Sequence, residues 1–154
     1  MAVETGRWRR NSLGVYTWDF DLEVHNAALR DETLARRGLD LFERLVARFP
    51  GESRHRRILQ HQRAEFLYLV GDRERGEAQL LALIDEDPDD ASGYAWLSEH
   101  LGSRRSPAGY RDLPRAIALL EGALARPVRD PEDYSYRLRL EQLRADLAKS
   151  ETVA

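Results

Sequence analysis

Four histidines, His25, His55, His61 and His100, are the side chains best suited to proton transfer or transition-metal binding, and their spacing serves neither. None forms an i,i+4 pair and no His-Glu-x-x-His stands anywhere in the chain, so a metal site has no support. His61 and Glu65 fall one helical turn apart, where an ion pair is the plainer expectation than a shared catalytic proton. The run Asp85, Glu86, Asp87, Asp89, Asp90 resembles a calcium loop only in being acidic; Pro88 and the missing central glycine spoil that pattern, and helix capping accounts for several of the acids. No Gly-x-Ser-x-Gly, phosphate loop or dinucleotide glycine pattern occurs. The remaining candidate is the segment 103–111, SRRSPAGYR, whose Arg104, Arg105 and Arg111 could hold a phosphate or carboxylate. It lacks a glycine-rich pattern, which favours a solvated connection. These residues predict no enzyme, no metal and no cofactor.

The totals agree with a binding protein. At 154 residues the chain is long enough for one domain with a real core, and 42% hydrophobic with 33% charged residues is an ordinary globular composition. A net charge of −3 disfavours nucleic acid and anionic membrane as partners. Lys149 is the only lysine among 24 basic residues, which reads either as an arginine surface for anions or as coding bias, the plainer of the two. Absence of cysteine excludes disulfides and thiolate chemistry. No apolar run has the length of a membrane span and the N-terminus lacks a signal-like apolar stretch, so the expected place is the cytoplasm, away from membranes.

Any site must be carried by helices, and the helices recur. Over 64–101 the pattern is helix, Gly71-Asp72 turn, helix, Pro88 turn, helix. Arg75-Gly76 is followed twelve residues later by Pro88; Arg37-Gly38 is followed twelve residues later by Pro50. Phe42, Leu45 and Val46 fall where Leu80, Leu83 and Ile84 fall. A third copy opens at Arg115-Ala116, with Leu120, Ala123 and Leu124 in place and Val128 where a proline would be. Copies separated by 38 and then 40 residues, each with a small residue where two helices approach, indicate an array of helical hairpins. Asp31, Asp89 or Asp90, and Asp112 are expected caps, Gly102 an expected helix exit, and Asp130 with Pro131 an expected start of the last helix.

The run resembles tetratricopeptide repeats. Ala64, Gly71, Asp72, Gly76, Leu80, Asp87 and Pro88, then Tyr94, Leu97 and Ser98 in the next unit, carry the resemblance. It departs from the family in using Gly for Ala at two small positions, in a unit longer than the usual ~34 residues, and in an insertion after Leu101. Residues 93–138 are also similar to helical repeats of bacterial proteins that bear a small cysteine-rich zinc motif, whose zinc site this cysteine-free chain does not hold. The resemblance implies an all-α fold of antiparallel hairpins stacked as a short array over 31–149, with 150–154 as a frayed end. It implies a concave groove for a protein or peptide partner, lined by His61, Glu65 and Tyr68, then Ser92, Ala95 and Glu99, then Ser135, Arg139 and Gln142. The function so implied is an adaptor or assembly subunit; the alternative is a regulatory domain taking an anionic small molecule on 103–111. The lysine and asparagine that some members use to hold a peptide carboxylate are absent. A neutral or basic segment fits such a groove.

Residues 1–30 stand apart as a tail and an extended arm. Over 16–24, Tyr16, Trp18, Phe20, Leu22 and Val24 alternate with Thr17, Asp19, Asp21 and Glu23, the period of a strand with one buried face. The competing reading is a helix that begins near Asp19 and runs through Val24, Ala27 and Ala28. Tyr16, Trp18 and Phe20 make the arm an expected assembly element. It packs on the first hairpin near Leu34, Leu39 and Phe42 or, less favoured, pairs in a homodimer.

Overall fold

A computed structural model describes residues 23–49, 54–103, 110–132 and 134–153, and every regular element among them is an α-helix. Residues 23–28 form α1. It is followed by α2 (Glu32–Arg48), α3 (Arg54–Leu69), α4 (Arg73–Glu86), α5 (Ala91–Gly102), α6 (Leu113–Leu124) and α7 (Tyr136–Val153). The chain divides into two compact units, Met1–Gly76 and Glu77–Ala154.

In the N-terminal unit the sequence sets the helix ends directly. Asp31 caps α2, accepting hydrogen bonds from the backbone N–H of Thr33 (2.7 Å) and Leu34 (3.3 Å). At the end of α3, Gly71 takes φ 84°. Its N–H donates to Tyr68 O (3.1 Å) while that of Asp72 donates to Leu67 O (2.9 Å), the paired bonds of a Schellman ending that a residue with a Cβ resists. Helices α2 and α3 pack on each other. A Cβ on Gly38 would stand 2.1 Å from Phe66 Cε1, so the missing side chain is what admits the ring. Phe66 in turn stacks on Phe42 at a centroid distance of 5.1 Å. Ala28, Ala35, Phe42 and Phe66 form the core of this unit, with Val24, Leu39 and Leu45 packed against it.

Residues 23 and 24, which the alternation places in a strand, are helical. The physical reason is burial at helical spacing: Val24 and Ala28, four residues apart, both pack against the Phe42–Phe66 cluster. Residues 16–22, with Tyr16, Trp18 and Phe20 of the expected arm, lie outside the described residues.

In the C-terminal unit α5 packs on α6, and α6 on α7. Asp90 caps α5 through Ser92 N (2.7 Å), and Asp112 caps α6 through Arg115 N (3.0 Å) with Pro114 in the first turn. Two expected boundaries shift. Gly102 is not an exit but the last residue of α5, and it lies buried against α7, where a Cβ would stand 2.3 Å from Leu143 Cδ2. Asp130 does not cap the last helix; it takes φ 53°, Ser135 takes φ 50°, and α7 begins only at Tyr136. The segment before them is held elsewhere, since Arg129 N–H donates to Asp89 O (2.7 Å) and its guanidinium pairs with Asp87.

Candidate functional site

Several of the polar contacts in the C-terminal unit join residues about one repeat apart. Arg115 of α6 donates to Glu77 of α4 (2.5 Å), and Tyr110 reaches the same carboxylate (3.1 Å). Ten residues further on, just past the end of α4, Asp87 meets Arg129 beyond the end of α6. Both pairs ascend together, so α4 and α6 run parallel. Tyr136 Oη donates to Ala91 O, Arg139 Nη1 donates to Ala95 O (2.7 Å), and Leu143 faces Gly102. These also ascend together, so α7 runs parallel to α5. The hydrogen bonds of Arg115, Arg129, Tyr136 and Arg139 in these ties span 38 to 45 residues, close to the repeat in the sequence, and that of Tyr110 spans 33.

Between α5 and α7 this register leaves a cleft of about 210 Å³, lined by Ser98, Glu99, Gly102, Ser103, Arg139, Gln142, Leu143 and Asp146. Its charges are matched in pairs. Arg139 Nη2 donates to Glu99 (2.9 Å), and Arg111 Nη2 donates to Asp146 (2.6 Å). Arg111 Nε also donates to Gly102 O (3.1 Å), satisfying a carbonyl in the last turn of α5. Burial, ahead of the nearby Tyr94 and Asp90, pushes the Tyr136 hydroxyl well above the ordinary tyrosine range. A neutral Tyr136 is therefore a fixed donor at the N-terminal end of α7. The hydrogen bond from Arg115 to Glu77, opposed by burial, holds that guanidinium above its ordinary value.

The expected groove residues divide. Glu99, Arg139 and Gln142 come together in the cleft. Ser92 and Ala95 of the same set are buried in α5, and Ser135 lies exposed in the turn before α7. In the N-terminal unit His61 is buried at 4% exposure. Glu65 lies 3.5 Å from His25 Nδ1, and Tyr68 is half-buried against the bare Cα of Gly76. Of the arginine loop, Arg104 and Arg105 lie outside the described residues, and Arg111 is engaged by Gly102 and Asp146. Ser98, Ser103 and Asp146 are cleft residues that sequence reasoning missed as such; an insertion of Arg111 opposite an acid on the last helix was the available signal for Asp146.

A second cleft, of about 380 Å³, opens at the α6–α7 turn among Leu124, Val128, Pro131, Tyr136 and Leu138, flanked by Arg126 and Arg137. No group of His, Asp and Glu among the described residues has the arrangement of a metal site. No described helix is long and apolar enough to cross a membrane. No family model matches the chain, and searches of curated proteins and of solved structures return no significant match.

Proposed function

We propose that this chain is a non-catalytic protein-binding module, an adaptor or assembly subunit acting in the cytoplasm, built as a short tetratricopeptide-like array. The observation that carries this reading is the register of the C-terminal unit. Five of its side-chain ties, Arg115–Glu77, Arg129–Asp87, Tyr136–Ala91, Arg139–Ala95 and Arg139–Glu99, join residues 38 to 45 apart, as expected when one helical hairpin stacks on the next. Such stacking sets α5 and α7 side by side and opens the cleft between them. The charges there are already paired, as in Glu99 with Arg139 and Asp146 with Arg111, which suits recognition rather than proton transfer. The exposed Glu99 carboxylate and the Ser98, Ser103 and Gln142 polar groups suit a neutral or basic peptide segment.

A photocrosslinking side chain at Gln142, inside the cleft, is expected to capture one protein from an extract of the native host. The same group at exposed Ala118 on α6 is expected to capture none. Glu99→Trp, which fills the mouth of the cleft, should abolish the capture. Equal capture at both positions would contradict the reading. So would a thermal shift with phosphorylated or carboxylate metabolites that depended on the 103–111 loop without any protein being captured.

A further inference from the structure

The cleft at the α6–α7 turn is apolar inside and basic at its rim. Val128 and Tyr136 are buried at its base, Leu124 and Pro131 are half-buried on its sides, and Leu138 is left 55% exposed. Arg126 and Arg137 stand exposed on the rim, and neither meets a carboxylate. Arg126 reaches only the hydroxyl of Tyr94, 3.4 Å from Nη1, and Arg137 has no ion pair or hydrogen bond among the described residues. Glu132, also in the lining, pairs with neither. The wall at Pro131 and Glu132 is fixed in place. Ser135 N–H donates to Glu132 O (3.0 Å), and Asp130 and Ser135, on either side of the wall, take φ 53° and 50°. Left-handed backbone costs free energy in residues with a Cβ, and such strain gathers where a ligand is clamped.

The cleft, of about 380 Å³, stands at the small end of ligand pockets and has room for about two aromatic side chains. This chain carries such a pair outside the described residues. Trp18 and Phe20 alternate with Asp19 and Asp21. In that alternation the two rings can enter together while the acids between them stay at the rim, where the unpaired arginines are. The place that the first hairpin would offer these rings, around Leu39 and Phe42, is already taken by Val24 and Ala28 of α1. Area favours exchange between copies. Two rings in one cleft, walls included, bury roughly 600–1,000 Å². That falls short of the ~1,200–2,000 Å² of a stable interface, and a reciprocal exchange doubles it into that range.

We propose that the cleft at the α6–α7 turn receives residues 16–22 of a second copy of this chain, in a reciprocally exchanged dimer. Trp18 and Phe20 enter the cleft, and Asp19 and Asp21 meet Arg126 and Arg137. None of these residues belongs to the α5–α7 cleft, so this dimer and the binding role proposed there stand or fall separately.

Sedimentation of the full-length protein over a dilution series reads the exchange. The wild type is expected to pass from monomer to dimer. Arg137→Glu with Leu138→Asp, both at exposed positions where the fold tolerates change, should weaken the dimer at least about thirty-fold, as loss of anchor side chains does. Asp19→Arg with Asp21→Arg, which keeps the rings, should weaken it about ten-fold, and adding Arg126→Glu and Arg137→Glu to the same chain should restore it. Disulfide trapping tells exchange between copies from docking within one. A Thr17→Cys copy mixed with a Ser135→Cys copy should form the mixed disulfide at least about ten times faster than Thr17→Cys mixed with Lys149→Cys, by effective concentration. The proposal is overturned if the wild type is monomeric at every concentration. It is equally overturned if Arg137→Glu with Leu138→Asp leaves the dimer unchanged, or if Ser135→Cys is trapped no faster than Lys149→Cys.

Discussion

The two units solve the same problem, holding helix against helix, with different materials. In the N-terminal unit the α2–α3 seam is set by shape: a bare Cα at Gly38, a ring from Phe66 against it, and Phe42 stacked on that ring. In the C-terminal unit, neighbouring hairpins are also joined by long polar side chains that reach a backbone carbonyl or a carboxylate one repeat away, as Arg139 reaches Ala95 O and Arg115 reaches Glu77. An apolar seam fixes how closely two helices lie but is tolerant of sliding. A hydrogen bond to a particular carbonyl fixes the register. The α5–α7 cleft exists only in one register, so the polar ties belong where the cleft is.

This contrast can be broken by mutation. The largest effect is expected at Phe66, where replacement by alanine empties the middle of the apolar seam and should cost about 3–5 kcal/mol, read from the urea midpoint. Gly38→Leu should cost at least about 1–3 kcal/mol by overpacking, since Phe66 is fully buried and has nowhere to retreat. A midpoint unchanged by Gly38→Leu would show that shape does not set this seam.

Next in size is Tyr136→Phe, which removes the donor to Ala91 O and should cost about 1–3 kcal/mol. The same residue gives a pH signature. Its folded pKa is raised above the unfolded value of about 10, so the unfolded chain ionises first. Tyr136 thus contributes stability that is intact below that pH and falls as pH rises toward the folded value. Tyr136→Phe should flatten that part of the pH profile, and an unaltered slope would remove Tyr136 as its source. The smallest effect is expected at Glu77→Gln, less than about 1 kcal/mol, because Arg115 is well exposed and solvent screens the pair.

Much of the fold was legible because helix ends and close approaches are written in residue types. Asp31 and Asp112 cap where their positions suggest, Asp90 is the cap of the two acids offered after Pro88, Gly71 takes the left-handed conformation, and Gly38 and Gly76 each face an aromatic ring of α3. The candidate site was legible only in part. Apolar periodicity tells which face of a helix is buried first, not whether the opposite face is covered too. In α5 most positions are buried, so Ser92 and Ala95, read as groove residues, lie inside. Register was hidden for another reason. Arg111, Arg139 and Tyr136 act on partners 9 to 45 residues away, several of them backbone carbonyls that carry no residue-specific signal.

The central claim is that α5 and α7 lie side by side and parallel, with the cleft between them. The chain has no native cysteine, so spin labels can be placed cleanly at Glu99→Cys and Gln142→Cys, both exposed on the cleft. Neighbouring helices lie about 8–10 Å apart, so with label linkers the dipolar distance between these sites should be about 20 Å or less. A second pair, at Asp89→Cys and Lys149→Cys, spans the two helices from the start of one to the end of the other. It should read clearly longer, as the rise of about 1.5 Å per residue along parallel helices requires. A short distance for the second pair, or a long one for the first, would contradict the arrangement and the proposed binding role built on it.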